Sequence, residues 1–510
     1  MIYLIEMEPV VEATGETRVL RYGSAPFVTL PTDTPANTEF EERVADPGNY
    51  ERFLFSRGRT RGESSVGGGD IVLVNADGEL DDLLDLAFDG RRFTIWGLED
   101  VDAPWSSRQT ILVGTMEQAT FPGRKVEIRI RDRLDLLREP LQTQRFKGTT
   151  TSGDSTEAEG NVDLKDVLVP ELFGTARTIP PIVVDPFNRI FRVARRLDGI
   201  TAAYDTGVLL TATQDYATLA LLKAATLQAG QYATCLAFGL IRTQTTSGSL
   251  TVDAYEGATF ADRSAARIVQ RMMPGTIPLS AGDFDALHAA NPAECGLWIG
   301  TNEVTILSVA MAVLNSVGAS LSIDRFGIVR VRRLELPIGV GAILIDETNI
   351  LDRGEGFSRS APSDDGQGVP SPSITLRWGR SNTVYSEQDL KGVATTEAFR
   401  SFATQEWRVE EVKSEANEAR HPKGPKLTFD TCFANRDDAL AEANRLMTIY
   451  GARRDVFNVE VASDEVATLD LGDVVTLAPD RFGMADGVPA RVTGIVSTYA
   501  TNVTELELWR

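Results

Sequence analysis

The stretch that decides the fold lies at the end of the chain and reads LGDVVTL (471–477), RVTGIV (491–496) and TELELW (504–509). Each piece is a short apolar or alternating run bounded by Gly, Asp or Asn. This pattern is typical of strands in a small antiparallel barrel. We therefore predict a C-terminal β-barrel domain within residues 351–510.

Strand patterns of the same kind fill residues 1–146, which we predict to form an N-terminal β-barrel hub domain. The strongest runs are 71–74, 93–96, 110–114 and 125–130, while 80–86 alone hints at a helical turn. The acidic stretch 75–85 lacks the ligand spacing of a calcium loop. We interpret it as a turn with a solvated acidic face.

Residues 147–258 predict a second, irregular β domain. It opens with a Thr-, Ser-, Gly- and Glu-rich segment, 147–161, whose composition indicates a mobile loop or linker. Short strands punctuated by Pro follow, including 182–185 and 208–211.

An α+β domain is predicted for residues 259–350. Apolar residues at helical spacing predict a helix over 265–272, and Asn302 is the expected cap of a second helix that ends at Ser316. Two apolar runs around 324–327 then predict a hairpin.

The C-terminal domain, 351–510, opens with a stretch dense in Gly, Ser, Asp and Pro, 351–372, where we place a boundary. One helix interrupts its strands. Asn435 is the expected cap, Gly451 follows the end, and the predicted apolar stripe is Leu440, Ala443, Met447 and Tyr450. The fold class is thus mainly β with α+β insertions, multidomain, with barrels that discontinuous segments complete.

Length and charge narrow the class of protein. A chain of 510 residues exceeds one hydrophobic core and indicates several domains. Its formal net charge of −22 argues against wrapping DNA or lying on an anionic membrane, since both need a basic face. The charge serves solubility, or lines a passage through which DNA slides without sticking.

The three cysteines, Cys235, Cys295 and Cys432, are odd in number and widely spaced. They predict neither a disulfide framework nor a metal site, and we interpret all three as buried small hydrophobic residues in a protein assembled in a reducing cytoplasm. No secretory signal and no membrane-spanning run is expected.

The sequence contains few residue patterns that are typical of active sites. His288 is expected within a helix and His421 in a solvated polar loop, and neither stands in a known catalytic or metal motif. The adjacent pair Glu410 and Glu411 would point to opposite faces of a strand, so it does not make a glycosidase pair. We predict no catalytic residue, no cofactor-binding residue and no metal ligand.

The Gly- and Arg-rich segment 57–69 lacks the ending of a phosphate-binding loop. We interpret it as a flexible basic loop, with docking onto an acidic neighbour as the alternative. In an assembly, such a loop orders on contact with a partner.

Several loose patterns together resemble the baseplate or tail-tip hub proteins of long-tailed bacteriophages and gene transfer agents. The segments that carry the resemblance are 163–170, Gly174, 179–181, 185–186, 203–207, 439–446 and 471–475. The resemblance implies two tube-like β-barrels plus two further domains. It departs from hubs with an iron–sulfur cluster, because three dispersed cysteines do not supply four thiolates.

The resemblance further implies a homotrimeric ring whose six barrels adapt a sixfold tail tube to threefold structures below. The implied partners are the distal tail or tail tube protein above, central fibre or tail-tip proteins below, and the tape measure protein in the lumen, with DNA passing without specific binding. The expected place is the virion tail, assembled in the host cytoplasm, and no enzymatic activity is expected. The alternative is a tail-associated carbohydrate-active or cell-wall-degrading component.

Overall fold

The computed structural model describes residues 1–131, 133–244, 248–351, 356–364, 366–390 and 395–510, with the side chains of Val66 and Arg133 excepted. Strands account for 38% and helices for 18%, so the predicted mainly-β, multidomain class is confirmed. Within the predicted boundary stretch 351–372, residues 352–355 and 365 lie outside the described residues.

The N-terminal part is built of strands, as predicted. They are β1 Ile2–Met7, β2 Val10–Val11, β3 Leu20–Gly23, β4 Phe27–Val28, β5 Glu39–Glu42, β6 Val44–Asp46, β7 Asn49–Phe53, β8 Ser65–Gly68, β9 Asp70–Val74, β10 Leu86–Ala87, β11 Arg92–Leu98, β12 Gln109–Met116 and β13 Lys125–Arg131. Nine of them form one sheet in the order β4-β5-β3-β1-β11-β12-β13-β9-β6. The expected helical turn is the 3₁₀ helix Asp81–Asp85. Alternate residues of β13 are buried, which is the period of a strand with one face on a core.

Two five-stranded sheets follow. Their elements are β14 Glu171–Ile179, β15 Ile182–Asp185, β16 Ile190–Arg192, β17 Gly199–Asp205, β18 Val208–Leu209, β19 Thr211–Asp215, α1 Leu219–Ala224, β20 Gln231–Cys235, β21 Leu240–Thr243, β22 Leu250–Glu256 and β23 Gly296–Ile299. The orders are β18-β17-β22-β14-β23 and β15-β16-β21-β20-β19. Residues of both sheets, such as Ile179 and Ile241, share one apolar core.

The predicted loop 147–161 has no strand, yet it is anchored to its own part of the chain. Gly160 N–H donates to the Val184 carbonyl at 2.9 Å. Lys147 Nζ lies 2.7 Å from Glu157 Oε1.

The mixed part contains α2 Ala265–Met272, α3 Ala281–Ala290, α4 Ile306–Ser316, β24 Ala319–Ile323 and β25 Val329–Arg333. The first helix and the hairpin match the prediction. The predicted cap of α4 was wrong: Thr305, not Asn302, precedes the helix, and Thr305 Oγ1 accepts from Ser308 N–H at 3.2 Å. These helices pack with the hairpin on one apolar core.

The C-terminal part contains β26 Leu344–Asp346, β27 Phe357–Ser360, β28 Ser373–Trp378, α5 Glu397–Ala403, β29 Arg408–Lys413, α6 Glu415–Arg420, β30 Lys426–Asp430, α7 Arg436–Tyr450, β31 Val456–Ala462, β32 Val474–Ala478, β33 Val488–Thr498 and β34 Val503–Trp509. A three-stranded sheet, β29-β28-β30, lies under α7, and the last sheet runs β26-β32-β33-β34-β31-β27. Strand β27 falls where the sequence indicated a polar boundary. Its pairing with β31 overrides that composition.

Helix α7 begins after Asn435 and ends before Gly451, as predicted, although the Asn435 side chain does not cap it. The buried face differs from the predicted stripe. Ala443 is buried, but Leu440, Met447 and Tyr450 are half-buried, and the carboxylate-bearing Glu442 is buried instead.

The N-terminal and C-terminal sheets are joined through β33. The first part of this strand pairs with β32, while Gly494–Thr498 pair antiparallel with β7. Strand β7 pairs in turn with β8, and Gly69, just after β8, accepts from Ile130 N–H of β13 at 3.0 Å. Among the described residues these strand orders do not close into a ring.

In the part of the chain that the structure describes, no helix is both long and apolar enough to cross a membrane.

Candidate functional site

The glycine- and arginine-rich segment 57–69 is docked onto the C-terminal part of the same chain. Gly58 N–H donates to Glu507 Oε2 at 2.7 Å, and the Gly58 carbonyl accepts from Ser363 N–H at 2.6 Å. Arg57 Nη2 lies 2.6 Å from Glu505 Oε2. The segment is therefore held by its own chain, unlike the flexible basic loop that was expected. The alternative, docking onto an acidic neighbour, stays a prediction.

A partly buried cluster of three polar side chains fixes the middle of this segment. Thr60 donates its N–H to Asp364 Oδ2 at 2.9 Å, and its hydroxyl bonds the same carboxyl group. The Tyr450 hydroxyl lies 3.1 Å from Thr60 Oγ1. Burial raises the pKa of Asp364 above its ordinary value and raises the pKa of Tyr450 to about 12.

Beside this cluster lies a cleft of about 470 Å³. The segment 59–62, helix α7, the end of α4 and strand β30 line it. Its charged and aromatic lining residues are Phe55, Arg59, Arg61, Arg377, Phe429, Asp430, Arg445 and Tyr450. Among the described residues, Asp430 is therefore the one carboxylate beside four guanidinium groups on this lining.

A second cleft, of about 380 Å³, lies between β14, β23 and the chain that follows β30. It is more apolar. Its aromatic and basic lining residues are Arg177, Trp298, Arg380, Trp407 and Phe433. Arg380 sits over the ring of Trp407 with its guanidinium carbon 5.5 Å from the centroid, a cation–π contact.

The two clefts are neighbours, because Asn315 and Asp430 line both. Their lining includes every residue from Thr428 to Ala434. We call the two clefts together the β30 groove.

The charges of the groove are unevenly paired. Arg377 Nη1 lies 3.2 Å from Asp430 Oδ1, and Arg445 Nη2 lies 2.6 Å from the buried Glu442 Oε1. Arg61 lies over the Phe429 ring, 4.9 Å from its centroid. The exposed Arg59 makes no ion pair with the described residues.

Neither histidine belongs to the groove. His288 lies in α3, as expected, with Nδ1 2.8 Å from Ser264 Oγ. His421 is half-buried at the end of α6, where its N–H donates to the Asn417 carbonyl at 2.7 Å.

The two adjacent acids of β29 separate, as the strand period predicts. Glu410 Oε1 lies 2.6 Å from Arg436 Nε, whereas Glu411 accepts from Ser373 Oγ at 2.6 Å. They face different neighbours and do not converge on one cleft.

The cysteines follow the prediction only in part. Cys235 and Cys295 are buried, but Cys432 is half-buried and lines the second cleft. Burial raises the pKa of the Cys295 thiol well above its ordinary range. Within the described residues, no group of three or more His, Cys, Asp or Glu side chains is arranged to hold a metal ion.

The sequence drew attention to the arginine-rich segment 57–69 but did not indicate the groove. Its walls come from segments that are hundreds of residues apart, for example Arg59 and Arg445. The one sequence feature that pointed toward the groove is the set of arginines at alternate positions 57, 59 and 61.

Comparison with known proteins gave matches in structure alone. No family model matches the chain, and no curated protein matches it. A tail protein from Neisseria meningitidis aligns over 100% of this chain and 96% of its own, with TM-score 0.41 and 11% identity. A prophage tail protein from Shewanella oneidensis aligns over 99% and 98%, with TM-score 0.40 and 8% identity. A chain of a gene transfer agent virion particle covers 72% of this chain and 90% of its own, with TM-score 0.40 and 14% identity.

Proposed function

We propose that this protein is a structural hub of the distal tail of a long-tailed bacteriophage or related particle. In this proposal three copies form a ring that closes the tail tube and adapts sixfold to threefold symmetry. The chain then works through its interfaces and not as an enzyme. Its place is the virion tail, after assembly in the host cytoplasm.

One observation carries the proposal: residues from the two ends of the chain form one continuous β structure. Strand β7 lies between β33 and β8, so the N-terminal and C-terminal sheets meet edge to edge across more than four hundred residues of sequence. Two β units held side by side in each of three subunits supply the six units that a sixfold tube requires. This arrangement agrees with β units that are completed by discontinuous segments of the chain.

The four predicted domains, 1–146, 147–258, 259–350 and 351–510, belong to this proposal. So do the partners: a distal tail or tail tube protein above, central fibre or tail-tip proteins below, and the tape measure protein in the lumen. The net charge of −22 supports a lumen that repels DNA and lets it pass.

The structures to which the fold is similar are named as tail and virion proteins. Their names agree with the proposal.

The alternative, a carbohydrate-active tail component, is less well supported by the groove. A glycosidase of the usual kind needs two carboxyl groups around one bond. Of the residues that the structure describes, Asp430 is the single carboxylate on the lining of the two clefts.

The test is deletion of the gene, followed by electron microscopy of the particles and complementation. We expect filled heads without tails, and tails restored by the intact gene. Complementation with Gly494→Trp, which forces β7 away from β33, should fail, whereas Gly282→Ala, at an open position on α3, should succeed. Normal tails with lost infectivity would overturn the hub and favour an accessory component.

A second measurement addresses the ring itself. Cryo-electron microscopy of tail tips from the complemented strain should place three copies of this chain around the axis. One copy, or six, would contradict the proposed symmetry.

A further inference from the structure

A third cleft lies on the C-terminal part of the chain, and its described lining residues differ from those of the β30 groove. Its volume is about 370 Å³, a size that suits a small organic ligand. The end of β27, the segment 367–370, the end of α6, the segment 453–455 and the turn between β32 and β33 line it. Its charged and aromatic lining residues are Arg359, His421, Arg453, Arg454, Asp455 and Phe482.

Positive charge exceeds negative charge in this cleft, although the whole chain has a net charge of −22. Arg359 Nη2 lies 2.7 Å from Asp455 Oδ2, and Arg453 Nε lies 3.5 Å from Asp455 Oδ1. Two guanidinium groups thus share one carboxylate. Arg454 forms no ion pair with any described residue, so three guanidinium groups and one carboxylate lie on the described lining.

Backbone carbonyl groups, and not an acid, hold Arg454 in place. Its Nε donates to the Ile449 carbonyl at 2.7 Å and its Nη2 donates to the Thr448 carbonyl at 2.8 Å, at the end of α7. Its guanidinium carbon lies 5.3 Å from the centroid of the Trp509 ring. Burial disfavours the charged form of Arg454 and lowers its pKa, and an anion in the cleft would offset that effect.

Phe482 presents an aromatic ring at the rim of the same cleft. The residue is 48% exposed, and its φ of 55° lies in the left-handed region that bulky residues rarely adopt. The guanidinium carbons of Arg359 and Arg481 lie 5.3 Å and 5.0 Å from the centroid of its ring. A strained backbone is often found at functional sites. The ring lies beside the cations, where it can pack against a flat face of a ligand.

We propose that this cleft binds a phosphate monoester attached to a ring, either a sugar phosphate or a nucleoside monophosphate. The phosphate group binds among Arg359, Arg453 and Arg454, and the ring of the ligand packs against Phe482. Guanidinium groups bind phosphate through paired hydrogen bonds. This inference concerns a site on the single chain and does not rest on the proposed hub.

A phosphate monoester fits the charge of the cleft better than a carboxylate or a neutral sugar does. It carries about −1.5 to −2 charges at neutral pH, close to the excess of two guanidinium groups over Asp455. A carboxylate would compensate one of them, and a neutral sugar would compensate neither. The His421 ring, which forms no hydrogen bond with the described residues, supplies a further N–H donor.

The test uses the full chain and isothermal titration calorimetry in a buffer without phosphate. The probes are glucose-6-phosphate and adenosine monophosphate. Glucose and adenosine lack the phosphate group, and inorganic phosphate lacks the ring, so these three are the control ligands. We expect saturable binding of at least one ester, no binding of glucose or adenosine, and weaker binding of inorganic phosphate. The ester that binds more tightly identifies the kind of ring.

Arg453→Glu should weaken binding of the ester about tenfold or more, because it replaces a cation beside the phosphate with an anion. Arg138→Glu is the matched control. Arg138 is 68% exposed and lies 3.4 Å from Asp135, while Arg453 is 70% exposed and lies 3.5 Å from Asp455. The two variants change the net charge equally, so a difference between them reports on the cleft.

Phe482→Asn removes the ring but introduces a residue that tolerates the left-handed backbone. It should lower the affinity for the ester to about that for inorganic phosphate. Thermal unfolding curves identify any variant that fails to fold, and Arg481→Glu, at an exposed position, is a second charge reversal that should weaken binding. Absence of saturable binding of both esters, equal binding of ester and inorganic phosphate, or equal effects of Arg453→Glu and Arg138→Glu would overturn the proposal.

Discussion

Arg52 Nη1 lies 2.6 Å from Asp470 Oδ1, and the pair joins strand β7 to the turn before β32. The arginine is 5% exposed, and its Nη1 also donates to the Ile323 carbonyl at 3.4 Å. One side chain thus ties the N-terminal part, the hairpin β24–β25 and the C-terminal sheet together. Removal of one partner of a buried pair leaves the other charge without compensation.

Arg52→Met should therefore lower the free energy of unfolding by about 3 kcal/mol. Arg57→Met is a matched control, since the Arg57–Glu505 pair also spans 2.6 Å but the arginine side chain is 55% exposed. Arg57→Met should lower the free energy of unfolding by less than about 1 kcal/mol. Urea denaturation followed by tryptophan fluorescence measures both, and equal losses would contradict the importance of the buried pair.

Glu507 should make stability depend on pH. Burial raises its pKa above the ordinary value of 4.5, although the Thr493 hydroxyl at 2.9 Å and Gly58 N–H oppose this shift. The folded chain then holds the proton more tightly than the unfolded chain. The contribution of Glu507 to stability is full below pH 4.5 and is lost as the pH rises through the raised pKa.

The variant Glu507→Gln lacks this titration. At pH 8 the denaturant concentration at its unfolding midpoint, compared with that of the natural chain, should therefore be higher than it is at pH 5. Denaturation curves at both pH values measure the change, with Glu505→Gln, on the same strand and more exposed, as the control that should show little of it. A difference that stays constant with pH would contradict the assignment.

Gly494 permits the close approach of β33 to β7. A Cβ atom there would lie 2.4 Å from Phe53 Cδ1 and 2.9 Å from Glu507 Cβ. Gly494→Ala should therefore destabilise the chain by about 1–3 kcal/mol through overpacking. Gly282→Ala in α3 meets no atom within 4 Å and should be neutral or stabilising, because Ala has the higher helix propensity. Thermal unfolding compares the two, and a neutral Gly494→Ala would show that the strands can separate at little cost.

Cys432 should be the first of the three thiols to react with iodoacetamide in the native protein. It is half-buried in the groove, whereas Cys235 and Cys295 are buried. Burial raises the pKa of the Cys432 thiol, so the reaction should be slow at pH 7 and faster at pH 9. Intact mass and peptide mapping measure it. Cys432→Ser should abolish the native modification, and earlier modification of Cys295 would contradict the structure.

The sequence by itself determined the local elements. The alternation of apolar and polar residues predicted strands such as β13 and β34. Asn435 before the apolar stripe and Gly451 after it predicted the ends of α7 correctly. These signals succeed because each depends on residues a few positions apart, where backbone period and side-chain polarity must agree. At α4 the prediction placed the cap at Asn302, whereas Thr305 caps the helix.

Tertiary structure alone decided which distant segments meet. Residues 49–53 pair with 494–498, the glycine-rich segment 57–69 folds onto Glu505 and Glu507, and the groove gathers Arg59, Arg445 and Trp407. A strand pattern specifies that a strand exists and which face is apolar, but not which edge it joins. The partner is selected by packing and charge across the whole chain, as in the contact of Phe53 with Gly494 and the ion pair of Arg52 with Asp470.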